Sequence, residues 1–455
     1  VAHHTAHAAS AYFVSPYEES DVLVVDALGD DAFSTRFYHG EKNKIRCLKD
    51  IRYPNSIGYL WELVSVLLGF DVYDAAKVMG LAAYGDPARY AAAFEQIAYT
   101  TPDGGFETAD HILRFKEITY YPPSAYCEGL ENLFGIKKRE RGQPLNAVHH
   151  DIAAALQQKT DELVYHMAVH LHALTGSSNL CLAGGVALNC VTNHHVLENG
   201  PYQNLYVQPA AHDGGTSLGA AFYVWNHILG EPVRGSMSHA YLGPAFSDEE
   251  IEEQLQRQHL KYDRVAELER EVARLISQQN VVGFFQGSME YGPRALGNRS
   301  ILADPRHADM REILNHKVKH REYFRPFAPS VLHEEAANWF RIGKEAPAAD
   351  FMLIAYPARE EVAASIPAVI HADGTCRVQT VKQEANPRFH RVISEFNKLT
   401  GIPVVLNTSF NDQEPIICTP ADAIGTFLKT EIDYLAIGSF LVRKETGRGR
   451  NGDAA

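Results

Sequence analysis

Short apolar runs alternate with longer amphipathic stretches through the first half of the chain. Residues 21–26 (DVLVVD) form an apolar run of strand length and predict a buried strand. The stretch Ala147–Thr175 gathers its apolar residues on one helical face and predicts a long helix, which Gly176 stops. Residues 179–182 (NLCL) and 204–207 (NLYV) predict two more strands. The first of these runs into Gly184-Gly185. The second runs into Asp213-Gly214-Gly215 and a helix beginning near Thr216. Strand, glycine turn and helix in that order make an α/β layout, in which backbone amides and a helix N-terminus can receive an anion.

The second half has the same alphabet in a different order. Residues 247–256 (SDEEIEEQLQ) predict an acidic, solvated helix with Ser247 as N-cap and Glu250 closing a capping box. Residues 281–285 (VVGFF) predict a buried strand, followed by a loop with Gly292, Arg294 and Gly297 and a helix over 307–318. A strand at 403–406 leads into Asn407-Thr408-Ser409-Phe410-Asn411. A helix then starts at Pro420, with Thr419 as N-cap and proline in the first turn. Residues 434–442 predict one closing strand, and 450–455 a frayed tail. The composition shifts near Gly230–Gly235, which predicts domains at 1–233 and 234–449.

Charge narrows the possible partners. The 455 residues carry a formal net charge of -14, which argues against nucleic acid and anionic membrane surfaces. No apolar run approaches a membrane span. Cys47, Cys127, Cys181, Cys190, Cys376 and Cys418 include no CxxC pair, which fits a reducing, cytoplasmic setting and excludes a cysteine zinc site.

Two groups of residues carry candidate chemistry. His3 and His7 stand four apart, so a helix would set both imidazoles on one face, one turn apart, where they could share a divalent metal. His4 stands where a zincin would have its glutamate, which excludes that class. Asp213, in a glycine turn after a strand, is the candidate third ligand, with a helix N-cap as the other reading. Asp26 has the same two readings. The stretch from Arg294 to Arg325 is net positive inside an acidic chain. Arg294 and Arg299 lie in a Gly-Pro loop, which favours a small phosphate or carboxylate site over a solvated basic face.

Eight strings in order carry a family resemblance. They are HHTAHAASAYF from His3, KVMGLAAYG from Lys77, LAGGVALN from Leu182, DGGTSLGAA from Asp213, YGPRALGNRS from Tyr291, FRPFAP from Phe324, RVQTV from Arg377 and LNTSFN from Leu406. The chain resembles the NodU/CmcH-type O-carbamoyltransferases, the family of the tobramycin carbamoyltransferase. The resemblance implies an α/β protein: an actin-like ATPase-fold (ASKHA) domain, expected to be incomplete at its N-terminus, followed by a YrdC-like domain. It implies a divalent metal, expected to be iron, on His3, His7 and Asp213. The nucleotide part of carbamoyl-adenylate would lie against Asp26, Gly184, Gly185 and Asn189. In the second domain, Arg294, Lys319, Arg377 and Ser409 would hold carbamoyl phosphate and ATP, with Arg294 and Lys319 catalytic. The implied activity is ATP-dependent transfer of a carbamoyl group to a hydroxyl of a small secondary metabolite or saccharide. A tRNA threonylcarbamoyl transferase and a non-catalytic nucleotide or metal binder are the rival readings. The second domain and the net acidity argue against the former, and the retained His3, His7, Asp213 and arginine loop against the latter.

Overall fold

The apolar run at 21–26 becomes the strand Glu19–Val25, buried from Ser20 to Val25, at the centre of a five-stranded sheet. The computed structural model describes residues 1–30, 32–117, 127–232, 235–344 and 346–444. The domain boundary expected at 233 and the tail at 450–455 lie outside the described residues. Strand order in this first sheet is Lys44–Arg52, Phe33–Glu41, Glu19–Val25, Asn179–Ala183, Asn204–Val207. The first two run as an antiparallel hairpin beside Glu19–Val25, and the last two run parallel to it. The hairpin does not announce itself in the sequence. Phe33–Glu41 is buried on both faces, so its polar and apolar residues do not alternate, and Lys44–Arg52 is charge-rich.

The helix Ala147–Thr175 forms over the expected span, with Gly176 left-handed at its end (φ 74°). The opening helix His3–Tyr12 packs on the sheet and on the helix Thr216–Phe222. That contact is close: a Cβ on Gly219 would lie 1.8 Å from the Ala6 carbonyl oxygen. Glycine there lets two backbones approach and fixes where the His3 face points.

At one end of the strand Glu19–Val25, Asp21 is fully buried. Its Oδ2 accepts hydrogen bonds from Thr175 Oγ1 and Tyr202 Oη, each at 2.7 Å, and its Oδ1 pairs with His39 Nδ1 at 2.9 Å. The hydrogen bond to Asp21 raises the His39 pKa above 6.5, against burial, and the charges of Asp21 and Glu19 add to the rise. The stabilisation is therefore complete below the unfolded pKa and is lost as pH rises through the raised value. The melting temperature is expected to fall across that window, and His39→Gln should flatten the dependence.

The second unit is built on an eight-stranded mixed sheet. Its order is Gln379–Val381, Ala328–Leu332, Val404–Ser409, Arg299–Ala303, Val282–Phe285, Tyr434–Ile437, Phe440–Arg443, Tyr262–Arg264. The helices Leu268–Ser277 and Pro387–Thr400 pack together, burying Val272, Ile276, Phe389, Val392 and Phe396 against Phe284 and Val405 of the sheet. Each residue of this kind contributes roughly 1.5–3 kcal/mol by leaving water. The expected capping box of Ser247 with Glu250 is present, and Thr419, the expected N-cap, forms a second one with Asp422.

Three features differ from the sequence expectations. The expected single strand over 434–442 is a hairpin, because Gly438 turns the chain at φ +60°. The expected helix over 307–318 is a short α-helix, Met310–Ile313, continued by a wider π turn, Leu314–Val318. The units are also not continuous in sequence. The first comprises Val1–His239, Arg341–Pro357 and His371–Arg377, and the second comprises Ala240–Phe340, Ala358–Ile370 and Val378–Ala455. Both are mixed α/β. Among the described residues no helix is long and apolar enough to cross a membrane.

Candidate functional site

The helix His3–Tyr12 sets His3 and His7 one turn apart, with ring centroids 4.6 Å apart. Asp26 stands directly after the strand Glu19–Val25 and points its Oδ2 at both rings, 3.1 Å from His3 Nε2 and 3.0 Å from His7 Nε2. Asp213 Oδ1 lies 3.5 Å from His7 Nε2 and 3.8 Å from His3 Nε2. One ligand atom from each of these four residues lies within 4.8 Å of the other three. Four ligands about 2.1 Å from one ion in a tetrahedron are separated by about 3.4 Å, so the spacing suits a cation. The His7 ring is fully buried, and neither of its nitrogens makes a hydrogen bond of good geometry. A buried imidazole so placed fits a metal better than it fits a protein partner. Two imidazoles and two carboxylates are a donor set for a borderline divalent ion.

A metal bound there would displace the proton that the two carboxylates draw onto His7. Burial opposes a charged His7, but Asp213 and Asp26 outweigh it and raise its pKa to about 9. Burial would raise Asp26, but His3 and His7 hold it far below the usual carboxylate range. His7 also lowers Asp213, against burial. His4, on the same helix, is fully buried.

The residues alone left Asp26 open between a metal ligand and a cap, and the resemblance put it with the nucleotide contacts. The structure puts it between the two histidines, because the run of buried strand residues ends one position before it. Its Oδ1 accepts the N–H groups of Ala27 at 2.9 Å and Gly185 at 3.2 Å, which leaves Oδ2 to the rings. Asp213 is not the N-cap that the alternative reading made it. His212 caps that turn through Nδ1, accepting from Gly214 N–H, which leaves the Asp213 carboxylate 78% exposed.

Gly184 is left-handed (φ +89°), and a Cβ there would meet the Val25 carbonyl oxygen at 2.2 Å. Gly184→Ala should therefore displace the end of the strand that delivers Asp26. A loss on the order of 3 kcal/mol is expected, with metal affinity falling in parallel, measured by denaturant unfolding and metal titration. Asn189 caps the helix Cys190–Asn199 by accepting from the N–H groups of Val191 and Thr192, and exchanges hydrogen bonds with Gln157. Its polar atoms organise the turn rather than face open space. Gln157 also lines a cavity of about 710 Å³ in this unit, with Glu95, Lys159, Asp161, Glu162 and Tyr165 on its wall. That volume suits a small-molecule ligand.

In the second unit, Lys319 is 2% exposed, and its Nζ donates to the Ser409 carbonyl, Ser409 Oγ (3.2 Å), the Asn411 carbonyl (2.9 Å) and Asn411 Oδ1 (2.7 Å). Burial pushes its pKa well below 10.5, with Arg321 and Arg325 adding to the fall. Lys319 and Ser409 are thus brought together, with the lysine's protons committed to the Ser409–Asn411 turn. Arg294 sits, partly exposed, in the neighbouring YGPRALGNRS loop of the same unit.

Arg299 corrects an expectation. It is fully buried, lies 3.7 Å over the Phe285 ring and donates to the carbonyls of Gln286, Gly287, Asn298, Pro244 and Cys418. A fully buried guanidinium that already holds five carbonyl oxygens is poorly placed to take an anion. Arg377 ends the strand Thr375–Arg377, the last residue of a segment that groups with the first unit, and Gln379, two residues on, donates to the Leu296 carbonyl of the Arg294 loop. The sequence reading missed Glu290, an acid directly before the basic loop whose partners are backbone amides of that loop. Only its position before an arginine-rich string hinted at it.

Two family models match successive stretches of the chain. The Carbamoyltransferase N-terminus family matches residues 1–222, and the Carbamoyltransferase C-terminus family matches residues 273–444. The nodulation protein NolO of Bradyrhizobium diazoefficiens is 40% identical over 97% of this chain and 78% of its own length. The nodulation protein NolNO of Sinorhizobium fredii is 40% identical over 98% of this chain, which spans 64% of that relative. An uncharacterised protein of Synechocystis is 38% identical over 99% of this chain and 77% of its own. The crystal structure of T. kodakarensis HypF is similar over 50% of this chain and 37% of its own, at 18% identity and a TM-score of 0.28, a likeness too slight to define the fold. The two family matches and the relatives together make the chain a member of the carbamoyltransferase family, and an enzyme of that class.

Proposed function

We propose that this enzyme makes carbamoyl-adenylate in its second unit and transfers the carbamoyl group to an alcohol at the His3–His7–Asp26–Asp213 group of its first unit. The observation that supports the reading most is the convergence of those four side chains on one cation-sized point. The first unit would be the actin-like (ASKHA) module and the second the YrdC-like one. The first step balances as carbamoyl phosphate, ATP and water going to carbamoyl-adenylate, phosphate and pyrophosphate. The second balances as carbamoyl-adenylate and an alcohol going to the carbamate ester, AMP and a proton. The acceptor is a hydroxyl of a saccharide or another small metabolite.

His3, His7, Asp26 and Asp213 would hold the ion, with iron the expected one. Bound there, it would supply positive charge for the carbamoyl oxygen or the departing phosphate. The chain's own groups do the rest. The Gly185 and Ala27 amides fix the Asp26 carboxylate, the helix His3–Tyr12 fixes the rings, and Gly184 allows the turn between them. In the second unit the Arg294 guanidinium would take the phosphate oxygens bidentately, and Lys319 would hold the turn that carries Ser409. Pyrophosphate release that requires both ATP and carbamoyl phosphate tests the reading. Carbamoyl transfer with no ATP, or ATP cleavage indifferent to carbamoyl phosphate, overturns it.

A further inference from the structure

The loop from Tyr291 to Arg299 carries Arg294, the arginine that the proposed reading gives to carbamoyl phosphate, and no helix or strand supports it before Arg299. One buried carboxylate gathers it from within. Glu290 is 6% exposed, and its Oε1 accepts the N–H groups of Leu296 at 2.7 Å, Asn298 at 2.8 Å and Arg299 at 3.2 Å. Backbone amides converging on one oxygen form an anion nest, and here the protein's own side chain occupies it. The other oxygen, Oε2, is buried without a hydrogen-bond partner. A half-satisfied buried carboxylate is unfavourable and calls for an explanation other than bare stability.

Stability alone does not supply one, because the same loop has neutral braces. Tyr241 Oη and Gln379 Nε2 each donate to the Leu296 carbonyl at 2.9 Å, and Asn407 Nδ2 donates to the Ala295 carbonyl at 3.3 Å. These hold carbonyls only. The inward turn of the three N–H groups, which lie on either side of Gly297 (φ +106°) and after Gly292 (φ +120°), depends on the carboxylate. Arg294 lies between those two glycines.

We propose that Glu290 is a positioning residue for anion binding: it fixes the 291–299 loop so that Arg294 meets carbamoyl phosphate in a single geometry. The inference rests on the reading of the second unit given above. A guanidinium grips phosphate through two parallel hydrogen bonds, so a small rotation of the loop loses the pair.

The test uses the full chain and carbamoyl-phosphate-dependent ATP–pyrophosphate exchange. Glu290→Asp keeps the charge but draws the oxygen out of the nest. It should raise KM for carbamoyl phosphate roughly tenfold to a hundredfold while kcat stays within about twofold. Amide hydrogen exchange should accelerate at Leu296, Asn298 and Arg299. Glu290→Gln keeps the length and an acceptor oxygen and should recover most of the affinity. An unchanged KM in folded Glu290→Asp overturns the inference, and so does a fall in kcat with KM unmoved. If Glu290→Asp does not fold, Tyr241→Phe, which loosens the same loop from its carbonyl side, should raise the same KM, and no rise there overturns the inference. A wild-type chain without exchange removes the reading and the inference together. Loss of exchange in Arg294→Ala with indifference at Glu290 removes the inference alone.

Discussion

His3→Ala combined with His7→Ala is expected to abolish metal binding and lower carbamoyl transfer on the order of a thousandfold, while carbamoyl-adenylate still forms. The physical ground is the donor set. Removing both imidazoles leaves two carboxylates, Asp26 and Asp213, facing one another across the space the rings filled. Two like charges do not hold a borderline divalent ion well without nitrogen ligands, and with their histidine partners gone burial and mutual repulsion should raise both carboxyl pKa values. Metal content by elemental analysis is the first readout and does not depend on turnover. Pyrophosphate release, measured separately, is the second. The second unit contributes none of the four ligands, so its half-reaction should persist. Retention of stoichiometric metal in the double variant would remove the four-residue group as the metal site. Loss of both half-reactions together would show a single composite centre and end the division of labour between the units.

Much of this site was legible because helical spacing is a local property. His3 and His7 four apart could meet on one face whatever the rest of the fold did, and they do. Asp213 was legible from a strand followed by a glycine turn. Asp26 was legible as a candidate ligand or cap, without a way to choose between the two. Nothing in DVLVVD says which oxygen of the last aspartate will be taken by the Ala27 and Gly185 amides and which left to the rings. That choice depends on the strand Asn179–Ala183 lying parallel beside Glu19–Val25, a contact across more than a hundred residues.

Arginine was harder to read than histidine. Arg294 and Arg299 occupy one loop and look alike in sequence. Arg299 begins the strand Arg299–Ala303, so its side chain turns into the core, and carbonyl oxygens with an aromatic face take the place of an anion. The segment that carries Arg377 was not legible as part of the first unit, for a topological reason. Sequence reasoning joins neighbours into one domain, whereas the pairing of Ala355–Pro357 with Thr375–Arg377 draws that segment back to the first unit. The hairpin Phe33–Arg52 was missed because burial on both faces erases the alternation that marks a half-exposed strand.

Arg294→Ala and Lys319→Ala are both expected to abolish carbamoyl-phosphate-dependent ATP–pyrophosphate exchange, for different reasons that stability separates. Arg294 is partly exposed, so its removal should leave the melting temperature nearly unchanged and remove a phosphate ligand. Lys319 is buried and holds four oxygen acceptors of Ser409 and Asn411. Its removal takes a donor from each of these part-buried oxygens, of which Asn411 Oδ1 keeps the Ser409 hydroxyl, and an acceptor left unpaired costs roughly 1–3 kcal/mol, so Lys319→Ala should lose exchange together with several degrees of stability. Metal content should stay at the wild-type level in both variants, since the histidine–aspartate group belongs to the other unit. Exchange at a near wild-type rate in Arg294→Ala would take the anion away from that loop. An unshifted melting temperature in Lys319→Ala would mean that the lysine does not hold the Ser409–Asn411 turn in solution. Its ammonium would then be available to the phosphate directly, as the sequence alone suggested.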